Sequence, residues 1–146
     1  MLVIREIKAA DYIRKVQDLL SENWAETGFD FDLRPDVEMV RRLQDAGLMF
    51  VLGAFDDDEL VGYSSAMVSP HTYNPAVICC NSDALFVRRA WRKTSAGARL
   101  IAETERTAAA YGAMRMLWHT RAGTPLAATL QRRGYAPADV IVMKEI

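Results

Sequence analysis

One stretch constrains the fold of this chain more than any other. The short apolar run Leu85-Phe86-Val87 leads through a basic segment into a long helical pattern. Between the run and the helix lie Arg92, Lys93, Thr94, Ser95, Ala96, Gly97 and Ala98. A strand that feeds a loop and then a helix start makes a corner where backbone N–H groups converge. The positive end of the helix dipole points into the same space, so the corner suits a phosphate or pyrophosphate group. The basic run Arg88, Arg89, Arg92, Lys93 forms its rim. Read as a nucleic-acid patch, that run is short and has no second patch to extend it. The net charge of the chain is −1, so no overall field draws in nucleic acid or an anionic membrane.

A chain of 146 residues is long enough for one domain with a substantial core, and we expect a single domain over 1–146. No apolar run reaches the roughly 18–20 residues that a membrane-spanning helix requires. Met1-Leu2-Val3-Ile4-Arg5 lacks the apolar core and cleavage site of a signal peptide, which points to the cytoplasm. Cys79 and Cys80 are adjacent; neighbours on a strand face opposite ways, so they read as core thiols rather than a disulfide. No second Cys/His cluster supports a metal, and none is expected. The Asp56–Glu59 run reads as a hydrophilic turn.

The rest of the pattern alternates strands and helices. Leu2–Ile7 reads as a strand. A helix follows in which Asp11 can cap and Ile13, Val16, Leu20 and Trp24 recur at helical spacing, ending at Gly28. Pro35 suits the first turn of a second helix that carries Val37, Val40 and Leu43 and stops near Gly47. Met49–Phe55 and Leu60–Val68 form an antiparallel hairpin, and Pro70–Pro75 a loop. Ala76–Val87 is a long strand. The major helix runs from about Ser95 to Tyr111 with Gly112 as its C-cap. Met114–His119 is a strand, Thr124–Arg132 a short helix, and Val140–Lys144 a closing strand. The expected class is α/β: a mixed, mostly antiparallel sheet flanked by helices, in the order β-α-α-β-β-β-α-β-α-β.

With that order, these residues resemble the GNAT superfamily of N-acetyltransferases. The resemblance spans the chain and is strongest from Asp83 to Tyr135. The family's acetyl-CoA signature is an arginine, two residues, a glycine, one residue, then glycine or alanine. It follows a strand ending in a Leu-x-Val-like triplet and an aromatic. Here Leu85-Phe86-Val87, Trp91, Arg92 and Gly97 fill these places, and Gly134-Tyr135 matches a terminal Gly-aromatic pair. Ser95 stands at the first loop glycine, where it can cap the helix or offer its hydroxyl to the pyrophosphate. Leu130 stands where the family often has a tyrosine that protonates the leaving thiolate, and Gly123 stands near the place of a common asparagine.

The resemblance implies acetyl-CoA as co-substrate, bound by Leu85, Phe86, Val87 and the 92–98 loop. A backbone N–H near Phe86 or Val87 would polarise the thioester carbonyl. It also implies a proton acceptor at Asp83, with Asn81 two residues earlier on the same face of the strand. A strand bulge common at this place would alter that parity. The blander reading of Asp83 is a turn cap or an arginine partner. His119 is a second acid–base candidate, although a lone histidine at a strand end is more often structural. Acceptor recognition falls on the segment between the first two helices, with Glu26, Asp30, Asp32 and Asp36 interleaved with Phe29 and Phe31; the blander reading is a charged loop whose two phenylalanines anchor it to the core. Tyr73 and His71 are further candidates from the Pro70–Pro75 loop. Asp30, Asp32 and Tyr73 form the expected substrate-binding set. The acceptor is an amine of a small molecule or a protein, and a homodimer is compatible with the reading. The competing reading is a coenzyme-binding or interaction module on the same fold that has lost catalysis.

Overall fold

The computed structural model describes residues 1–27 and 29–146. Its sheet has five strands in the order β1-β2-β3-β4-β5: Leu2–Glu6, Met49–Asp56, Glu59–His71, Asn74–Val87 and Arg115–Leu117. The first four pair antiparallel, and β5 runs parallel to β4. The helices are α1 (Ile13–Thr27), α2 (Val37–Asp45), α3 (Ala96–Ala110) and α4 (Pro125–Arg132).

Alternation along the strands sends side chains to two cores. Phe50, Leu52, Ala54, Ala66, Val68, Cys80 and Val87 meet Ala96, Leu100 and Ala108 of α3 on one face. Met49, Val51, Phe55, Tyr63 and Phe86 meet Val16 and Leu19 of α1 on the other, with Val40 and Leu43 of α2 at its border. Two buried polar contacts tie elements together. Gln44 accepts from Ala9 N–H and donates to the Ile7 carbonyl, tying α2 to the end of β1. Thr104 of α3 shares a hydrogen bond of 2.8 Å with Ser64 of β3. Satisfied in this way, neither carries the penalty of an unpaired buried polar group.

At Gly62 the backbone of β3 lies too close to β4 and α3 to leave room for a side chain. A Cβ there would lie 2.8 Å from the Phe86 carbonyl oxygen and 3.3 Å from Leu100 Cδ1. Gly62→Ala is therefore expected to destabilise the protein by about 1–3 kcal/mol through overpacking. An unchanged urea midpoint would refute this.

Several boundaries differ from the sequence reading. The 70–75 segment is not a loop: β3 and β4 run on to His71 and back from Asn74 as an exposed ribbon beyond β2. Pro35 lies outside α2, whose cap is Asp36, its carboxylate accepting from Met39 N–H at 2.9 Å. Asp11 lies in a short 3₁₀ turn before α1, and its side chain makes no capping bond among the described residues. The expected helix end at Gly28 lies outside the described residues. The strand expected over 114–119 is only Arg115–Leu117. The closing strand over Val140–Lys144 is absent: Val140, Ile141, Val142 and Met143 are 72–88% exposed. Pro137 breaks the approach to that segment, and β5 offers only three residues of free edge to pair with. The observed order thus ends on α4. Cys79 and Cys80 are free and buried, as core thiols. Burial pushes the Cys80 thiol up to about 11, which keeps it protonated and unreactive.

Candidate active site

Two strands that pair and then separate create the site. β5 follows β4 only from Cys79↔Arg115 to Asn81↔Leu117, so β4 continues alone from Ser82 to Val87. The Arg88 N–H donates to the Val61 carbonyl at 2.8 Å, which fixes the alternation of the β3–β4 ladder. Tyr63 and Phe86 therefore face each other through their main-chain groups, while the N–H groups of Leu85 and Val87 point away, into the opening beside β5. This corrects the expectation for Phe86: its N–H belongs to the ladder, and Val87 or Leu85 supplies the donor in the opening.

At the top of β4 the chain turns into the 92–98 loop. Thr94, not Ser95, organises the helix start: its hydroxyl donates to the Trp91 carbonyl and accepts from Ala96 N–H at 3.2 Å. Ser95 occupies the N-cap position but makes no side-chain capping bond, so its hydroxyl faces solvent. The N–H groups of Lys93, Ser95, Gly97 and Ala98 find no acceptor among the described residues. A Cβ at Gly97 would meet nothing within 4 Å. Open space and unpaired donors at a helix start fit a pyrophosphate. Ser95→Gly is expected to leave acetyl-CoA affinity unchanged or improved. A tenfold loss in calorimetry, about 1.4 kcal/mol, would show that the hydroxyl is a ligand.

Arg92 is placed differently from the rim position read from sequence. Its Nε donates to the Val87 carbonyl at 2.7 Å, its guanidinium lies over the Phe86 ring, and one terminal nitrogen reaches both oxygens of Glu26 at 2.8 and 2.6 Å. Its side chain is thus engaged within the chain. Arg88 is likewise taken, by Glu22 and Glu59.

Asp83 stands on a β-bulge. Ser82 pairs with Ala66 and Ala84 with Ser65, so Asp83 is an extra residue between them. The bulge turns both Asp83 and Ala84 to the α1 face. Ala84 packs in the core there, and Asp83 is exposed with one oxygen accepting from Ser65 Oγ at 3.0 Å. Asn81, opposite Met67, is on the same face, so the pairing of Asn81 with Asp83 survives: alternation runs unbroken through Ser82, and parity changes only between Asp83 and Ala84. Tyr63 borders this ground and takes a hydrogen bond from Asn23 of α1 at 2.8 Å. Burial first, and the nearby Asp83 charge, push its phenol up to about 12, so it remains neutral.

The remaining candidates scatter. His119 is exposed beyond the end of β5 and forms no hydrogen bond among the described residues. Tyr73 is 91% exposed at the tip of the β3–β4 ribbon. From Ser65, beside Asp83, to His71 next to that tip β3 runs roughly 20 Å at ~3.3 Å per residue, so Tyr73 is not part of this site in its own chain. Of the acidic residues expected at the acceptor segment, Asp36 is a helix cap, Asp32 pairs with Arg34, and Glu26, in the last turn of α1, holds Arg92; Asp30 alone has no partner among the described residues. Phe29 and Phe31 do not anchor in the core but cluster with Trp24, ring centroids 4.8–5.1 Å apart. Leu130 is buried and its position offers no proton donor. Ser65 and Asn23 were not singled out from sequence, although a Ser64-Ser65 pair within an apolar strand was a usable signal.

The model of the Acetyltransferase (GNAT) family matches residues 13–135. The chain belongs to the GNAT acetyltransferase family. Its members take the acetyl group from acetyl-CoA, and this chain is an acetyl-CoA-dependent acetyltransferase by that membership. A search of curated proteins finds no match. Solved structures share the fold of this acetyltransferase at low identity. An AAC(6')-Iy in complex with the bisubstrate analogue CoA-S-monomethyl-acetylneamine has TM-score 0.77 and 16% identity, over 100% of this chain and 98% of that one. The ribosomal-protein-alanine N-acetyltransferase of Brucella melitensis biovar Abortus 2308 has TM-score 0.75 and 18% identity, over 100% and 99%. An aminoglycoside acetyltransferase from an uncultured soil metagenomic sample, in complex with sisomicin, has TM-score 0.75 and 19% identity, over 99% and 94%. No helix of this GNAT acetyltransferase is long and apolar enough to cross a membrane among the described residues.

Proposed function

We propose that this acetyltransferase, a single domain over 1–146 working in the cytoplasm, acetylates a primary amine of a small molecule or protein by direct attack within a ternary complex. The observation that carries this is Asp83, raised on a bulge of β4 beside the place where β4 and β5 part. Acetyl-CoA, when bound, supplies an activated thioester. The unpaired N–H groups of Lys93, Ser95, Gly97 and Ala98 hold its pyrophosphate. The Val87 or Leu85 N–H donates to the carbonyl oxygen as negative charge develops there. Asp83, one oxygen fixed by Ser65, takes a proton from the amine directly or through water held by Asn81; the amide C–N bond forms as the thioester C–S bond breaks, and the coenzyme A thiolate would leave and take a proton from water, since Leu130 offers none. Asp30 beside the Trp24, Phe29 and Phe31 rings suits a cationic acceptor, in keeping with the aminoglycoside complexes among the similar structures.

The test is thiol release from acetyl-CoA with a panel of aminoglycosides, polyamines and peptides bearing a free N-terminus, alongside calorimetry with acetyl-CoA alone. Binding together with acceptor-dependent release supports the reading. Buried Leu130, which leaves the usual acid position without a proton donor, favours a second reading: a coenzyme-binding module without catalysis. Binding without turnover on every amine would support the module.

A further inference from the structure

We propose that Glu26 is a positioning residue: through Arg92 it fastens the acceptor-side end of α1 to the coenzyme loop, so that acetyl-CoA binding sets the acceptor site. This rests on the acetyl-CoA reading of the 92–98 loop. An exposed ion pair alone carries little, because solvent and side-chain entropy offset it. Here the guanidinium is held on three sides, by the Val87 carbonyl, by the face of the Phe86 ring 5.3 Å away, and by both carboxylate oxygens of Glu26. Planar, pre-oriented donors of this kind transmit position rather than merely charge.

Each neighbour of that junction belongs to a different part of the site. Val87 carries an N–H into the opening between β4 and β5, and Arg92 begins the loop whose free N–H groups await phosphate. Glu26 lies in the last turn of α1. Two residues earlier, Trp24 Nε1 donates to the Phe31 carbonyl at 3.0 Å, and its ring joins Phe29 and Phe31. One residue later, the Thr27 carbonyl accepts from Arg121, whose guanidinium also lies 5.8 Å from the centre of the Phe29 ring. The last turn of α1 thus gathers the coenzyme loop, the segment after α1 and the loop after β5. Among the described residues, ordering of the 92–98 loop by ligand has one direct side-chain route to the acceptor segment, and it passes through Glu26.

Amide hydrogen exchange with acetyl-CoA as the probe tests this. In the wild type, saturating acetyl-CoA is expected to slow exchange about tenfold in 93–98 and also in 24–27 and 29–34. Glu26→Gln keeps the shape and removes the charge. It should bind acetyl-CoA within about threefold of wild type and still protect 93–98, while 24–27 and 29–34 exchange as in the free protein. Equal protection of those segments in Glu26→Gln, or none there in the wild type despite binding, overturns the proposal. Absence of acetyl-CoA binding in the wild type overturns the underlying reading instead. Once the panel finds an acceptor, Glu26→Gln should raise its KM with kcat nearly unchanged; a fall in kcat alone would place Glu26 in the chemistry rather than in positioning.

Discussion

Replacing Asp83 by asparagine is expected to lower kcat by roughly 10- to 10⁴-fold while acetyl-CoA affinity stays nearly unchanged. Asparagine preserves the volume and still accepts from Ser65 Oγ, so the bulge keeps its side-chain tie. What is lost is the capacity to take a proton from the attacking amine. Calorimetry with acetyl-CoA and steady-state kinetics with an accepted amine separate the two effects. Full kcat with an unaltered pH profile in Asp83→Asn would remove Asp83 from the reaction. Asn81 and its water, or His119, would then be next. The separation of Asp83 from the 92–98 loop is what makes the split expected: the carboxylate touches neither the free N–H groups nor Arg92.

The second large effect concerns Gly97, and it runs opposite to the usual cost of replacing a glycine. The backbone there is not in the left-handed region, and a Cβ meets nothing within 4 Å. The fold itself does not require glycine at this position. Gly97→Glu should therefore keep or slightly raise stability, by up to about 1 kcal/mol, because a carboxylate in the first turn favours the helix dipole and glycine is a poor helix former. Acetyl-CoA affinity should nevertheless fall by about 100-fold or more, equivalent to about 2.7 kcal/mol, as bulk and negative charge enter the phosphate space. Calorimetry for binding and thermal unfolding for stability test both halves. Wild-type affinity in Gly97→Glu would mean that the ligand lies elsewhere.

The strand–loop–helix corner was legible because each part is local: an apolar run, a basic turn, a helical repeat and a glycine lie within consecutive residues. The hairpin of β2 and β3 was legible for the same reason. The partners were not. Arg92 meets Glu26 across 66 residues and Asp83 meets Ser65 across 18, and neither separation leaves a periodic trace. Asp32 and Asp36 read as ligands because they are acidic, yet a neighbouring arginine and a helix start claim them. Phe29 and Phe31 looked like core anchors because hydrophobicity does not say which aromatics will find each other at the surface. The Val140–Met143 run has strand-like composition, but a strand needs a partner ladder, and β5 ends after three residues. Composition could not report that.

The bulge at Asp83 has a further consequence for how such a site is gained or lost. On one side of it Ser82 faces Ala66, and on the other Ala84 faces Ser65; these two pairs are already in step. A chain lacking residue 83 would run straight from one pair to the next without shifting any later strand residue, and the opening beside Leu85 and Val87 would keep its amides. The carboxylate is thus a surplus member of the ladder, an addition to the sheet rather than a replacement within it. Deletion of one codon would silence it, and insertion of one would restore it. Neither event requires the surrounding architecture to change.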